Sequence, residues 1–458
     1  MITRKVLFPL LILLCIAFTV FLFQPGYIDN DSKNQLEQIR SGHFDDWHPP
    51  AMSWVWGHFN RIVPGPFGMF LLQVVLFWAG LGIVVNMIAS SQTGRSLYLL
   101  IGFYPPAFMM LGTVIKDVLM GTVLLFGFSL ILYSERRKSI VSFVFGMLFL
   151  GYGMLIRHNA IPAVLPLCLY AGFVFTSLNP TMTGRISPVW RGIITGSAFF
   201  ILVFAVGRAW NNHLTDTKTY PFQQIMLHDL VGISIRTKTY LVPDYLASAE
   251  QPSMKDLRRI YQLRSMKNLY WPDFTNIHFK ILLDPGQVRD LVSTWGREVV
   301  DHPKAYLMHR SDVFTGVLNL KAARTCAPYY YEETTYKPKG FYQNGSVNDY
   351  YSNNPITNRL FMLAEPLREG LIYWNWLYVL LPLILFTVSL HFVLGPRTSD
   401  IRFPSIALAL SASGWLYGLA YFFVATACDF RMVYWNVLTA LPACMFLLNS
   451  IGRKNSPL

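Results

Sequence analysis

Residues 6–32 read VLFPLLILLCIAFTVFLFQPGYIDNDS. The apolar run Val6–Phe23 is long enough to cross a bilayer core, and it opens directly onto acids at Asp29 and Asp31. Arg4 and Lys5 precede it, as in a signal peptide. No small-residue cleavage site stands before Gln24-Pro25-Gly26, so the run is expected to remain as an anchor. Carboxylates at membrane depth are costly, so acids held this close to an anchor require a reason.

The rest of the chain repeats the apolar pattern. Hydrophobic residues make up 53% and charged residues 14% of the 458 positions, against about a quarter charged in a soluble protein. Further spans are expected at Phe67–Ile88, Leu97–Val114, Val118–Tyr133, Ile140–Ile156, Ile161–Leu178, Gly192–Ala209, Leu371–Val393, Phe403–Val424 and Val433–Ile451. The expected fold is an all-α polytopic membrane protein with about 10 transmembrane helices. The net charge of +13 is then read as topology, not as a sign of nucleic-acid binding. With the amino terminus inside, the inner segments carry Arg4, Lys5, Arg95, Arg136, Arg137, Lys138, Arg185, Arg191, Arg397, Arg402, Arg453 and Lys454, against only Glu135 and Asp400. Short basic loops resist translocation, so both termini are expected in the cytoplasm.

This orientation divides the chain. Residues 1–209 form an N-terminal membrane module of seven spans, with a first outer loop at 24–66. Residues 210–370 form an outer, periplasmic domain, and residues 371–458 a C-terminal module of three spans. The first loop predicts two interfacial helices. Ser32-x-x-Gln35 fits a capping box, Ser41-Gly42 a stop, and Pro49-Pro50 a restart. In the second helix Met52, Val55, Phe59 and Ile62 recur at helical spacing, with Trp54 and Trp56 as interface-seeking aromatics. The outer domain predicts helices at Met254–Lys267, Gln287–Asp301 and Tyr306–Leu320, then a tyrosine-rich loop from Tyr329 to Tyr351. Cys15, Cys168 and Cys444 lie within spans, whereas Cys326 and Cys428 lie outside, where a disulfide is chemically allowed.

The outer face concentrates the charges. Asp29, Asp31, Asp45, Asp46, Asp117 and Asp429 all fall there, together with Lys116, Arg157, His158 and Arg431. Each has a plainer reading. Asp31 or Asp29 could be a helix cap or turn acid, and Asp46 a solvated acid. His48 could be a helix-start residue, Lys116 and Asp117 a self-neutralising pair, and Arg157 and Arg431 cations snorkelling to headgroups. As a set they suit one reaction, transfer of a sugar from a polyprenyl phosphate. A carboxylate takes a proton from the acceptor hydroxyl, and cations stabilise the departing lipid phosphate. No GxxxxGK[ST] or GxGxxG loop is present, so no nucleotide cofactor is expected. A divalent cation between Asp31, Asp46 and Asp117 suits the charges, although no ligand spacing demands it.

The element Asp45-Asp46-Trp47-His48-Pro49-Pro50-Ala51-Met52, placed after Asp29-Asn30-Asp31, resembles the GT-C superfamily of membrane glycosyltransferases. It is similar to protein O-mannosyltransferases, to the aminoarabinose transferases of lipid A, and to O-antigen-modifying bacterial enzymes. Ile115-Lys116-Asp117-Val118, Arg157-His158-Asn159-Ala160, His228-Asp229-Leu230, His302-Pro303-x-x-Tyr306-Leu307-x-His309-Arg310 and Asp429-Phe430-Arg431 extend the likeness. The resemblance implies an inverting transferase of the bacterial inner membrane. It would move a sugar from a polyprenyl-phosphate donor to an envelope glycan or lipid at a periplasmic active site. Asp31 is the first choice for the catalytic base and Asp29 the second, since the mannosyltransferase Asp-Glu pair is here Asp29-Asn30-Asp31. Asp46, His48, Lys116 and Asp117 support them, and Arg157 and Arg431 hold the donor phosphate. His228, Asp229, His309 and Arg310 are expected to serve structure. The alternatives are a lipid-linked glycan flippase and an O-antigen polymerase. Against the first stand the absence of an internal repeat and the polar residues gathered at one face; against the second stands the acidic first loop.

Overall fold

Apolar runs without internal charge leave each backbone donor and acceptor only one partner, the helix itself. The chain follows that rule throughout the computed structural model, which describes residues 4–179, 186–272, 275–320, 355–395 and 401–454. Eight helices are long and apolar enough to cross a membrane, and Ile140–Ile156 is a shorter apolar helix of 17 residues. The described residues hold no strand, only isolated bridges. The protein is an all-α, multi-pass membrane protein.

The N-terminal module contains α1 (Arg4–Phe23), α2 (Asn30–Ser41), α3 (Pro50–Ile62), α4 (Phe67–Ile88), α5 (Gln92–Leu99), α6 (Pro105–Leu111), α7 (Lys116–Arg137), α8 (Ile140–Ile156), α9 (Ile161–Leu178) and α10 (Pro188–Leu214). The outer domain contributes α11 (Gln223–Thr237), α12 (Met254–Ile260), α13 (Lys267–Tyr270), α14 (Pro285–Asp301), α15 (Pro303–Val317) and α16 (Pro355–Ala364). The last three helices are α17 (Asn375–Leu394), α18 (Arg402–Val424) and α19 (Tyr434–Lys454). One continuous apolar core unites the spans. A second core, built on Leu227, Leu257, Leu269, Phe279 and Leu291, lies in the segment that follows α10. Helices α9 and α10 meet backbone to backbone. A Cβ on Gly172 would lie 2.2 Å from the Gly192 carbonyl oxygen, so the Gly192-x-x-x-Gly196 stripe seats α10.

The structure corrects several expectations. Leu97–Val114 is not one span. Tyr104 precedes Pro105-Pro106, sits at φ −56°, ψ 121°, and divides α5 and a following 3₁₀ turn from α6. These pieces together still measure about 30 Å along the chain. They lead from Ala89, whose carbonyl accepts from Arg95 Nε at 3.1 Å, to Thr113 beside Tyr27. The cap of α2 is Asp29 and not Ser32, because the Asp29 carboxylate accepts the Ser32 amide one turn earlier. In α3 the buried face is Ala51, Met52 and Trp56, while Ile62 is 79% exposed. Trp56 lies inside, and its indole donates to the Gly65 carbonyl at 2.8 Å. The helix expected over Met254–Lys267 stops at Ile260, and Tyr261 turns extended and reaches His309 at 3.0 Å. Cys428 is disulfide-bonded. Cys326 and the tyrosine-rich loop lie outside the described residues.

Gly26 sets the start of the first loop. Its φ is +98°, and a Cβ there would lie 2.8 Å from Phe70 Cβ and 2.9 Å from Val114 Cγ2. Gly26→Ala is therefore expected to destabilise the fold by about 1–3 kcal/mol. Thermal unfolding in detergent should show a lowered midpoint, and an unchanged midpoint would refute the requirement for glycine.

Candidate functional site

The turn at Gly26 docks the following residues on the end of α6. The Tyr27 amide donates to the Gly112 carbonyl at 2.9 Å, and the Val114 amide donates back to the Tyr27 carbonyl at 2.7 Å. Gln73, fully buried in α4, donates to the carbonyls of Leu111 and Thr113 at 2.7 and 3.0 Å. The strap places Asp29 and Asp31 beside Lys116, the first residue of α7. The turn Ala425–Val433, between α18 and α19, closes the other side. Asn375 Nδ2 fixes it by donating to the carbonyls of Val317 at 2.7 Å and Asp429 at 3.3 Å.

Arg431 is the hub. Its Nη1 lies 2.9 Å from Asp29 Oδ2 and 3.1 Å from Asp31 Oδ2, and its Nε donates to Asp429 Oδ2 at 3.0 Å. Lys116 Nζ lies 3.3 Å from the same Asp31 Oδ2 and 2.7 Å from His48 Nδ1. His48 Nε2 faces Asp31 Oδ1 at 3.9 Å. Burial, reinforced by Lys116, lowers the His48 pKa to about 3, so the ring is neutral. Its Nδ1 lone pair accepts from the ammonium, which puts the ring proton on Nε2, toward Asp31.

Asp29 and Asp31 differ. Asp29 is 5% exposed and caps α2, and its Oδ1 lies 2.9 Å from both the amide and the hydroxyl of Ser32. Ser32 has one hydroxyl proton, and the Val114 carbonyl, at 2.5 Å, is its nearer acceptor. Burial, with Asp31 adding to it, raises the Asp29 pKa from 3.8 to about 6. Asp31 has a 29% exposed side chain in the first turn of α2. Burial opposes its ionisation, but the charges of Lys116, Arg431 and Arg157 hold its carboxyl well below the usual range. Environments that push two neighbouring carboxyls apart give them different chemical roles.

The remaining expected residues divide in two. Lys116 and Asp117 do not neutralise each other. Asp117, fully buried, pairs with Arg157 Nη1 at 2.6 Å, and Arg157 Nη2 reaches the Tyr421 hydroxyl at 3.3 Å. Tyr421 in turn meets Tyr417 at 2.9 Å. Asp46 lies apart from His48, turned to Thr219, whose amide and hydroxyl it accepts, the latter at 2.8 Å. Asp45 accepts the Trp47 amide at 2.9 Å. Asp46 thus ties the first loop to the segment that follows α10, and the cation expected between Asp31, Asp46 and Asp117 loses its geometry. Among the described residues no group of three or more His, Cys, Asp or Glu side chains is arranged to hold a metal ion.

A second buried set supports the turn from the outer domain. Asp229 accepts from Arg310 Nη2 at 2.7 Å and Trp295 Nε1 at 2.9 Å, and faces His309 Nε2 at 3.1 Å. Arg310 Nη1 also donates to the Ala425 carbonyl at 2.8 Å, four residues before Asp429. His228, its Nε2 3.1 Å from the Gln262 carbonyl, stacks on Tyr261 and meets His309 at a tilt of 59°. Sequence reasoning missed Thr219, Asn375 and Tyr421, and read Ser32 only as a helix cap. Each is an uncharged residue of common type, and only its buried hydrogen bond marks it.

No protein-family model, no curated protein and no solved structure matches this chain.

Proposed function

We propose that the chain is a membrane glycosyltransferase of the GT-C kind. It moves a sugar from a polyprenyl-phosphate donor to an envelope glycan or lipid on the periplasmic face of a bacterial inner membrane. The observation that carries this reading is Asp31: a partly exposed carboxylate facing Lys116, Arg431 and neutral His48 at one end of a bundle of membrane-length helices.

Asp31 accepts the proton of the acceptor hydroxyl. The hydroxyl oxygen attacks the anomeric carbon, the bond from that carbon to the phosphate oxygen breaks, and the phosphate leaves with the electron pair on its lipid. Attack opposite the leaving group inverts the anomeric centre. Arg431 and Lys116 meet the charge that grows on the phosphate. Both now point at Asp31, so a phosphate entering beside them takes over these donors and frees the carboxylate to act as base. Arg157 contributes at longer range, because Asp117 already engages it.

The test is incubation of the purified chain with a radiolabelled polyprenyl-phosphate hexose and, in parallel, with a pyrophosphate-linked oligosaccharide. Hydrolysis or transfer of the first alone is expected. Consumption of the second alone would instead favour a polymerase, and vesicle transport without consumption of either a flippase.

A further inference from the structure

Helix α16 stands at the end of the bundle that carries Asp31. Its stripe Thr357, Phe361 and Ala364, at i, i+4 and i+7, is buried. The Thr357 hydroxyl donates to the Leu22 carbonyl, one of the last carbonyls of span α1, which the span itself leaves without a partner. The Phe361 ring lies 6.3 Å from Phe23, the last residue of α1, and 5.9 Å from Tyr27 in the strap that leads to Asp29. Phe361 and Ala364 belong to the same apolar core as the spans. The chain then enters the next span at Asn375, directly after Trp374, whose indole donates to the Glu369 carbonyl at 3.3 Å. Two span ends thus bracket α16. Yet Leu363 is 76%, Met362 70% and Ile356 51% exposed. Arg359, also exposed, lies on the helix face opposite the buried stripe.

We propose that α16 is a membrane-contact helix, set into the boundary between headgroups and acyl chains, with lipid covering Ile356, Met362 and Leu363. Apolar side chains left together at a surface mark a site of contact. The contact here continues one already on the molecule. The lipid-facing side of α1, where Leu14, Phe18 and Phe21 are each about half exposed, runs up to the end on which α16 sits. The polar groups fit the same depth. Arg359 can lay its stem along lipid and its guanidinium among phosphates. Glu365 and Arg368, paired at 3.4 Å, follow the helix, and Trp374 marks the entry to the next span as an interface-seeking aromatic. The occupant is lipid and not a second copy of the chain. Ile356 and Leu363 lie on one flank of the buried stripe and Met362 on the other, so no single flat partner covers them, whereas lipid closes around both. Through Phe361 and Tyr27 the helix joins this lipid contact to the strap that holds Asp29. The contact does not depend on the transferase chemistry, and a chain that transfers no sugar leaves it standing.

The experiment measures depth in the full chain. Leu363→Cys and Met362→Cys proteins are labelled with a nitrobenzoxadiazole dye and reconstituted in nanodiscs of phosphatidylethanolamine and phosphatidylglycerol. Wild type, treated alike, gives the blank from the native thiols. Both side chains are exposed, so neither substitution removes core packing. Nitroxide lipids labelled near the headgroup should quench both dyes more than lipids labelled near the chain end. Iodide should quench them at most about one third as well as a dye at Glu250→Cys, an exposed residue far from any span. A dye at Leu13→Cys, exposed in the middle of span α1, supplies the deep reference, with the lipid preference reversed. Iodide access equal to that of Glu250→Cys at either position overturns the proposal. So does shielding from both iodide and nitroxide lipid, which would mean that protein covers the helix, and so does a lipid preference that matches Leu13→Cys.

Discussion

Asp31→Asn is expected to lower sugar transfer by about 10²- to 10⁴-fold, the usual contribution of a positioned general base. The substitution keeps the size of the side chain and its place in the first turn of α2. Because Asp29 and not Asp31 caps the helix, the loop should remain folded. Membrane insertion and the thermal midpoint are checked on the same preparation. Full transfer by a well-inserted Asp31→Asn protein would sink the assignment.

Asp29→Asn is the matched comparison. Asparagine also caps helices, so Ser32 keeps its partner. Ionising Asp29 places a second negative charge beside Asp31 and strengthens it as a base. In wild type kcat/KM should therefore rise as pH passes through about 6, and Asp29→Asn should lack that limb while retaining most transfer at low pH. Stability runs the other way. The folded chain holds the Asp29 proton more tightly than the unfolded chain does. That contribution is complete below pH 3.8 and is lost as pH rises through about 6. Loss of transfer in Asp29→Asn with transfer retained in Asp31→Asn would exchange their roles.

Arg431→Met should be the most damaging single change to the fold and to transfer together. One guanidinium serves three carboxylates, on Asp29, Asp31 and Asp429. Removing it leaves partly buried acids without their shared partner, an effect of about 3–5 kcal/mol for a broken buried pair. It also removes the donor best placed for the leaving phosphate. Arg431→Lys should recover part of the stability but less of the activity, since an ammonium cannot span the same oxygens. Adding Asp29→Asn to Arg431→Met should restore stability without restoring transfer. Recovery of both would show that Arg431 acts only as a structural counter-ion.

The apolar runs were legible because lipid allows so few backbone solutions. The one span misread, Leu97–Val114, contains Pro105-Pro106, where local sterics outweigh hydropathy. The charged members of the site were also legible. Asp31, His48, Lys116, Asp117, Arg157 and Arg431 are unusual at the border of an apolar segment, and the fold gathers them. What sequence could not give was who faces whom. Lys116 and Asp117 are adjacent in the chain, yet helical geometry sends them to different partners. The acids and cations do not form opposed walls. They alternate, and Asp46, the nearest acid to His48 in the chain, turns to another domain.

The pairing of Asp29 with Arg431 spans 402 residues. At about 5–20 residues per second, the acids leave the ribosome roughly 20–80 s before their counter-ion exists. Throughout that interval Asp31 can draw on Lys116, but Asp29 lacks its cation and water must hold its charge. The turn just before α19 supplies the missing cation. The cluster around Asp29 and Asp31 is therefore completed only after residue 431 has been made and has folded back onto the first loop.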